Sequence, residues 1–250
     1  MERVRTFIGG AEVNHLFIQG VEVQAAFCNC GKFYEKESNL VFYASLLNSF
    51  TPQYAWNNDY GFTVASNQFT INDGAYLSSH KSDAILWDCP IPAGKDITIN
   101  CLFKLLSNDI PRNNFGWTLK NYVPNTEFCL NANSILSEDI GLGGANFHII
   151  GKIISELNQF VFITLTYQIN PQNNYIFKVY KNGILEYLNI VKDINTVPPS
   201  GLAFPSFGKL DQTLNCCTNA HWKHFSIYNR ILSDQEILIL YNRGGVPQGF

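Results

Sequence analysis

The chain has 250 residues, of which 46% are hydrophobic and 15% charged, and its formal net charge is −3. This composition supplies enough apolar material for a sizeable core and excludes a disordered chain. No run of Lys or Arg forms a basic patch, so nucleic acid is not an expected partner. No stretch reaches the roughly 18 apolar residues that span a bilayer. The start, Met1–Arg5 followed by a Gly-containing stretch, is not typical of a secretion signal.

The beginning of the chain contains a repeat with a spacing of ten residues, in the ranges Phe7–Val13 and Phe17–Val23. Each copy has an aromatic-Ile pair, a Gly-containing turn and a short alternating strand, which predicts a small β-meander over residues 1–33. This segment is too short to bury a core alone. Two interpretations stay open: a hairpin that covers a sheet edge, or an anchoring and oligomerisation element that uses Phe7, Ile8, Phe17 and Ile18.

Residues 34–250 are predicted to form a second domain in which short strands alternate with Asn-, Asp- and Gly-rich turns, the pattern of an all-β sandwich. One helix breaks this pattern. Ser233 precedes it as a cap, Glu236 follows three residues later, and Gly244 and Gly245 end it. The strands are expected at Leu40–Leu47, Gln68–Ile71, Ala75–Leu77, Ile97–Leu105, Thr126–Leu130, Phe147–Ile149, Phe160–Gln168, Tyr175–Lys181 and His224–Tyr228.

The stretch Trp222–Ile237, which contains Tyr-Asn-Arg and then Leu-Ser before Glu-Ile, resembles the closing signature of laminin-G-like domains in the concanavalin A-like superfamily. Phe160–Tyr167 and Lys178–Gly183 resemble the paired central strands of that family, with their Asn-Gly turn. The resemblance implies a two-sheet antiparallel jelly-roll sandwich with one short C-terminal helix. Phe162 stands where the family often has Trp, and Cys216–His221 replaces Gly-Asp material near a family calcium or ligand site.

The ten-residue repeat also resembles short Phe-Ile-Gly repeats of bacteriophage tail and fibre proteins. This resemblance implies a virion protein that is made in the host cytoplasm and contacts other virion subunits, and a homo-oligomer, with a trimer favoured. The high Asn content is compatible with this origin.

Catalytic residues are not evident in the sequence. Some proteins with this fold hydrolyse polysaccharides with a Glu-x-Asp-x-x-Glu motif, which does not occur here. Glu35 and Glu37, and the neighbours Glu138 and Asp139, are interpreted as surface carboxylates. The seven Cys residues are interpreted mainly as buried free thiols, and their spacing does not indicate a metal site. We therefore expect a protein that is not an enzyme and needs no cofactor.

Sugar binding is more plausible because carbohydrate sites combine an exposed aromatic face with amides and carboxylates, sometimes with calcium. The candidate residues are Trp56 and Asp59 in one predicted loop, and Asn113 and Trp117 in another. Trp87 and Trp222 are flanked by strand-like sequence and are predicted to lie in the core.

Three functions stay open. The first is a phage virion protein that displays a jelly roll for binding a host-surface glycan or for stabilising the particle. The second is a carbohydrate-binding module of a bacterial surface system, and the third is a glycan hydrolase. The sequence names no ligand.

Overall fold

The structure of the chain is a computed structural model. It describes residues 6–8, 11–13, 17–18, 21–22, 25–28, 31–35, 39–56, 60–64, 70–72, 75–78, 84–88, 90–92, 96–106, 114–120, 127–131, 136–137, 140–142, 145–147, 150–151, 158–172, 174–191, 202–208 and 220–250. Side chains are described over residues 39–56, 60–62, 85, 87–88, 90–91, 96–104, 106, 158–172, 174, 176–188, 190 and 221–250.

The elements are almost all strands, with one helix, α1 (Asp234–Asn242), among the described residues. The strands are β1 (Thr6–Ile8), β2 (Ala11–Val13), β3 (Phe17–Ile18), β4 (Val21–Glu22), β5 (Ala25–Cys28), β6 (Gly31–Glu35), β7 (Leu40–Ala44), β8 (Tyr54–Ala55), β9 (Phe62–Val64), β10 (Thr70–Asn72), β11 (Ala75–Ser78), β12 (Ala84–Trp87), β13 (Ile91–Pro92), β14 (Asp96–Leu105), β15 (Asn114–Lys120), β16 (Glu127–Asn131), β17 (Leu136–Ser137), β18 (Ile140–Leu142), β19 (Ala145–Phe147), β20 (Ile150–Gly151), β21 (Phe160–Ile169), β22 (Tyr175–Lys181), β23 (Ile184–Val191), β24 (Leu202–Gly208) and β25 (Ala220–Tyr228).

Two antiparallel sheets form the sandwich. The larger has nine strands, with the order β10-β11-β25-β14-β21-β22-β23 and with β7 and β8 added beside β25. The smaller has six strands, with the order β16-β15-β24-β12-β9 and with β13 beside β24. The predicted all-β jelly-roll fold is therefore confirmed.

Near the amino terminus the described strands pair as the hairpins β1–β2, β3–β4 and β5–β6. The division of the chain at residue 33 stays a prediction, and β6 runs across that position.

Aromatic rings hold the two sheets together. Trp87 of the smaller sheet is fully buried, and its ring lies 5.1 Å from that of Phe42 and 5.8 Å from that of Phe225, both in the larger sheet. Trp222 is also buried and packs on Phe103. Both tryptophans therefore lie in the core, as predicted. Burial of this much aromatic surface is the main stabilising contribution between the sheets.

The central strands β14 and β21 pair in continuous register from Asp96 opposite Gln168 to Lys104 opposite Phe160. The side chains that point towards the smaller sheet are apolar and buried, including Ile99, Cys101 and Phe103. Cys101 is a free thiol, as predicted, and burial raises its pKa. The opposite, outer face of the same strands is also buried, because the C-terminal segment lies over it.

A row of polar side chains crosses this outer face. The Thr164 hydroxyl donates to Asn100 Oδ1 at 2.6 Å, and Asn100 Nδ2 donates to Ser226 Oγ at 3.2 Å. All three residues are fully buried. Thr98 lies on the same face, donates to the Arg230 carbonyl at 2.7 Å and accepts from the Leu232 amide. Because these groups satisfy one another, their burial does not leave a desolvated polar atom without a partner.

The helix α1 is fixed at both ends. At its start, Ser233 and Glu236 form the predicted capping box. Arg230 binds Glu236 with two hydrogen bonds of 2.9 and 2.6 Å, which lower the pKa of this carboxyl to about 2. At its end, Gly244 and Gly245 adopt positive φ angles. A Cβ atom at Gly245 would lie only 3.0 Å from the Phe162 ring, so the chain needs glycine there.

The helix buries Ile237 and Leu240 against Phe162, Tyr180 and Tyr228 of the larger sheet. Phe162, where the resembled family often has Trp, is thus a core residue beneath the helix. The last residue, Phe250, closes this cluster beside Tyr43, with ring centres 5.1 Å apart. The C-terminal segment is therefore part of the core.

Strand β23 forms one edge of the larger sheet in the described part of the chain. It follows a two-residue Asn182-Gly183 turn with positive φ at both positions. Its pairing with β22 shifts between Val179 and Tyr180, which leaves Glu186 without an opposite residue. Several of its apolar side chains, including Leu188 and Ile190, are exposed.

Replacing Asn100 with Ala should lower the free energy of unfolding by about 3 kcal/mol, because it opens a cavity and leaves the hydroxyls of Thr164 and Ser226 unpaired. The triple variant Asn100→Leu, Thr164→Val, Ser226→Ala removes the whole row and should lie within about 1 kcal/mol of the parent protein. Urea denaturation measures both values. A triple variant as unstable as the single one would contradict this account of the row.

Candidate functional site

The segment between β7 and β9 carries exposed aromatic side chains at the edge of the sandwich. Trp56 directly follows β8, and its backbone amide donates to the Val41 carbonyl at 3.0 Å. Its side chain is nevertheless 51% exposed. A fixed backbone with a free indole face differs from a core tryptophan and has the geometry of a ring that a ligand can stack on.

The rest of this segment is also held to the core. The buried Trp87 donates from Nε1 to the Phe50 carbonyl at 2.7 Å. The Phe50 ring in turn packs edge-on against Phe62 at 5.8 Å, and Phe62 is itself 36% exposed. The Asp88 amide donates to the Gly61 carbonyl at 3.0 Å. We call the exposed residues Trp56 and Phe62 the aromatic rim.

Polar side chains accompany the aromatic rim. Asn48, Thr51 and Asp88 are exposed in the same part of the structure. Together they provide amide, hydroxyl and carboxylate groups that can bond to sugar hydroxyls. The arrangement is suited to binding a neutral, partly apolar ring.

The structure places the predicted sugar-binding residues differently from one another. Trp56 is exposed, as predicted. Asp59 and Asn113 lie outside the described residues. Trp117 lies in β15, opposite Phe128 and Phe207, and its side chain is not among those described.

The prediction of a loop over Asn113–Trp117 was wrong for residues 114–117, which begin the seven-residue strand β15. Phe115, Trp117 and Leu119 alternate with smaller or polar residues, and this period of two is typical of a strand with one buried face. Trp56 belongs to the segment beside the larger sheet, whereas Trp117 lies in the smaller sheet. The strand Phe62–Val64 was not predicted, and Phe62 had not been considered as a candidate.

The candidate anchoring residues Phe7 and Ile8 lie in β1, and Phe17 and Ile18 form β3. Their backbone pairs in local hairpins, opposite β2 and β4. The anchoring function stays a prediction.

His224 is a buried histidine in an unusual conformation. It interrupts β25 with φ of +51°, and its Nδ1 lies 2.8 Å from the Tyr43 hydroxyl, with the two rings stacked. Burial, with a smaller contribution from Lys223, lowers the pKa of His224 to about 4, and burial raises the pKa of Tyr43. The neutral imidazole therefore accepts a hydrogen bond from the phenol near neutral pH, which joins β25 to β7.

Among the side chains that the structure describes, no group of three or more His, Cys, Asp or Glu residues could hold a metal ion. In the same part of the chain, no helix is long and apolar enough to cross a membrane.

No protein-family model matches the sequence, and no curated protein matches it significantly. Solved structures do match. The receptor-binding domain of botulinum neurotoxin D superposes with a TM-score of 0.62 at 15% identity, over 82% of this chain and 53% of the other. The type G receptor-binding domain gives 0.59 at 16% identity, over 83% and 52%. A serotype D ligand-binding domain in complex with N-acetylneuraminic acid gives 0.59 at 16%, over 82% and 51%.

The chain therefore spans about half the length of the solved structures that it matches. At this identity the match establishes a shared fold. It agrees with the two-sheet architecture seen here and with the fold class that the sequence predicted.

The protein should lose stability as the pH falls from about 6.5 to about 4, because the unfolded chain takes up a proton at His224 that the folded chain excludes. Above this range the contribution of the neutral ring is fully present. His224→Asn, which tolerates a positive φ and does not titrate, should be about 2 kcal/mol less sensitive to this pH change. Urea unfolding of both proteins at a series of pH values measures the difference. Equal pH sensitivity would contradict the assignment.

Proposed function

We propose that this protein is a non-enzymatic carbohydrate-binding protein whose aromatic rim, and Trp56 above all, stacks against a sugar ring. The observation that supports the proposal is an indole that is 51% exposed on a backbone fixed by hydrogen bonds. Burying the rest of that surface against a ligand contributes favourable free energy, and little of it is lost in ordering the segment.

The solved structures with this fold give support of a second kind. They are receptor-binding domains, and one was solved with N-acetylneuraminic acid, an acidic sugar. A jelly roll is compatible with many functions. Receptor binding in proteins of this fold nevertheless favours a binding function over hydrolysis for this chain.

The biological setting that we propose is the surface of a bacteriophage particle, where the protein would attach to host glycans or stabilise the virion. The ten-residue repeat supports this setting. A bacterial surface system is the alternative setting, and the aromatic rim would serve equally in either. We propose no cofactor, and calcium would be needed only if the loop around Asp59 supplies oxygen ligands.

Glycan binding through the aromatic rim is tested on a glycan array with the full chain, followed by titration calorimetry with the neutral glycans that bind. Trp56→Ala should weaken binding about tenfold, since a stacked aromatic contributes on the order of 1 kcal/mol or more. Trp56→Phe should retain most of the affinity.

Tyr241→Ala is the matched control, because Tyr241 is an exposed aromatic residue on α1. Its affinity should equal that of the parent protein. If Trp56→Ala binds neutral glycans as tightly as the parent protein does, the aromatic rim is not the site.

The proposed oligomer is tested by light scattering. We expect the full chain to have three times the 28.2 kDa mass of one copy, because the apolar pairs of the amino-terminal repeat would bury one another. Ile8→Asp combined with Ile18→Asp should give a monomer, since a buried charge opposes association. A monomeric parent protein would remove the assembly function from this repeat.

A further inference from the structure

Two lysines converge on one aromatic ring at the outer face of the larger sheet. Lys104 of β14 lies opposite Phe160 of β21, and Lys223 of β25 lies opposite Leu102 of β14. Lys223 Nζ is 4.4 Å from the centre of the Phe160 ring, and Lys104 Nζ is 5.1 Å from it. Three adjacent strands thus bring two positive charges to the same ring, and we call these three residues the lysine–aromatic cluster.

The charges in this cluster are not neutralised by any described carboxylate. Within the part of the chain whose side chains are described, neither ammonium forms an ion pair, whereas two other basic residues of the same region do. Lys178 lies 4.0 Å from Asp234, and Arg230 lies 2.6 Å from Glu236. Two like charges close together repel each other, and the negative face of the ring offsets only part of that repulsion.

The ammonium groups keep the capacity to bind a ligand. Each has three N–H donors, and contact with a ring occupies only one side of the group. The Phe160 ring is 36% exposed and both lysines are partly exposed, so an anion can approach from solvent. A carboxylate offers two acceptor oxygens, which suits two neighbouring ammonium groups.

Amide groups lie next to the cluster. Asn158 and Gln159 immediately precede Phe160, and both are exposed. Asn158 has φ of +65°, so the chain turns sharply just before β21 begins. Amides both donate and accept hydrogen bonds, which is the chemistry that sugar hydroxyls require.

We propose that the lysine–aromatic cluster, together with Asn158 and Gln159, binds an acidic saccharide that carries a carboxylate. The carboxylate lies between the ammonium groups of Lys104 and Lys223, the apolar side of the sugar contacts Phe160, and the two amides bond to sugar hydroxyls. The inference rests on the proposed carbohydrate binding, but it concerns a different surface from the aromatic rim and a charged class of sugar.

The test uses the full chain and titration calorimetry with two acidic probes, sialyllactose and a hyaluronan tetrasaccharide, and with lactose as the neutral counterpart of the first. At least one acidic probe should bind, and lactose should bind about tenfold more weakly at this site. The affinity for the acidic probe should fall several-fold when NaCl is raised from about 0.05 to about 0.3 M, because salt screens the exposed charges.

Four variants locate the site. Lys104→Gln and Lys223→Gln should each weaken binding of the acidic probe about tenfold, and Phe160→Leu should weaken it by a smaller factor. Lys178→Gln is the matched control, since it removes a lysine from the same sheet whose charge already faces Asp234. It should bind the acidic probe as the parent protein does. Thermal unfolding of each variant checks that the fold is retained.

Three outcomes would overturn the inference: neither acidic probe binds, lactose binds as tightly as sialyllactose, or the Lys104 and Lys223 variants bind like the parent protein. Binding to phosphoinositide vesicles without binding to the saccharides would also overturn it, in favour of a lipid headgroup. The Trp56→Ala variant separates the two proposals. Loss of neutral-glycan binding in that variant, with no acidic binding by the parent, leaves the aromatic rim standing and removes only this second site.

Discussion

The fold depends on one constraint, which is that the central strands β14 and β21 are buried on both faces. The smaller sheet covers their inner face with aromatic and aliphatic side chains. Their outer face carries Asn100 and Thr164, whose polar groups would lose water without compensation if they were buried alone. Hydrogen bonds among these residues and Ser226, and the cover of the C-terminal segment, meet that constraint. The capped helix, the bond from Arg230 to Glu236 and the glycine at position 245 all hold that cover in place.

The sequence predicted the parts of this arrangement that have a local signal. The capping box has one because Ser233 and Glu236 stand three residues apart. The long strands β14, β21 and β22 have one because their apolar residues recur over many positions. The strands Phe62–Val64, Ala84–Trp87, Ile184–Val191 and Leu202–Gly208 escaped prediction. They are short, interrupted by Pro205, or contain a bulge, so their patterns are weak.

The candidate sites divide along the same line. Trp56 was found because an aromatic residue among Asn and Asp residues is an unusual loop composition, and the structure shows it to be exposed. The convergence of Lys104 and Lys223 on Phe160 could not be found, since more than fifty residues separate each from the next along the chain and only the strand order brings them together. A local pattern can predict an element, but a surface built from three strands exists only once their register is known. The shared fold with receptor-binding domains shows the framework on which such surfaces are placed.

The bulge in β23 has a consequence for the behaviour of the protein at high concentration. An edge strand with exposed Leu188 and Ile190 would ordinarily act as a template on which other chains add, the first step of a fibril. The unpaired Glu186 interrupts the regular spacing of backbone donors and acceptors and places a carboxylate in the middle of that edge. An incoming strand would lose its hydrogen-bond register at this point. A single irregular residue therefore protects an otherwise sticky edge and lets the chain keep an apolar border in water.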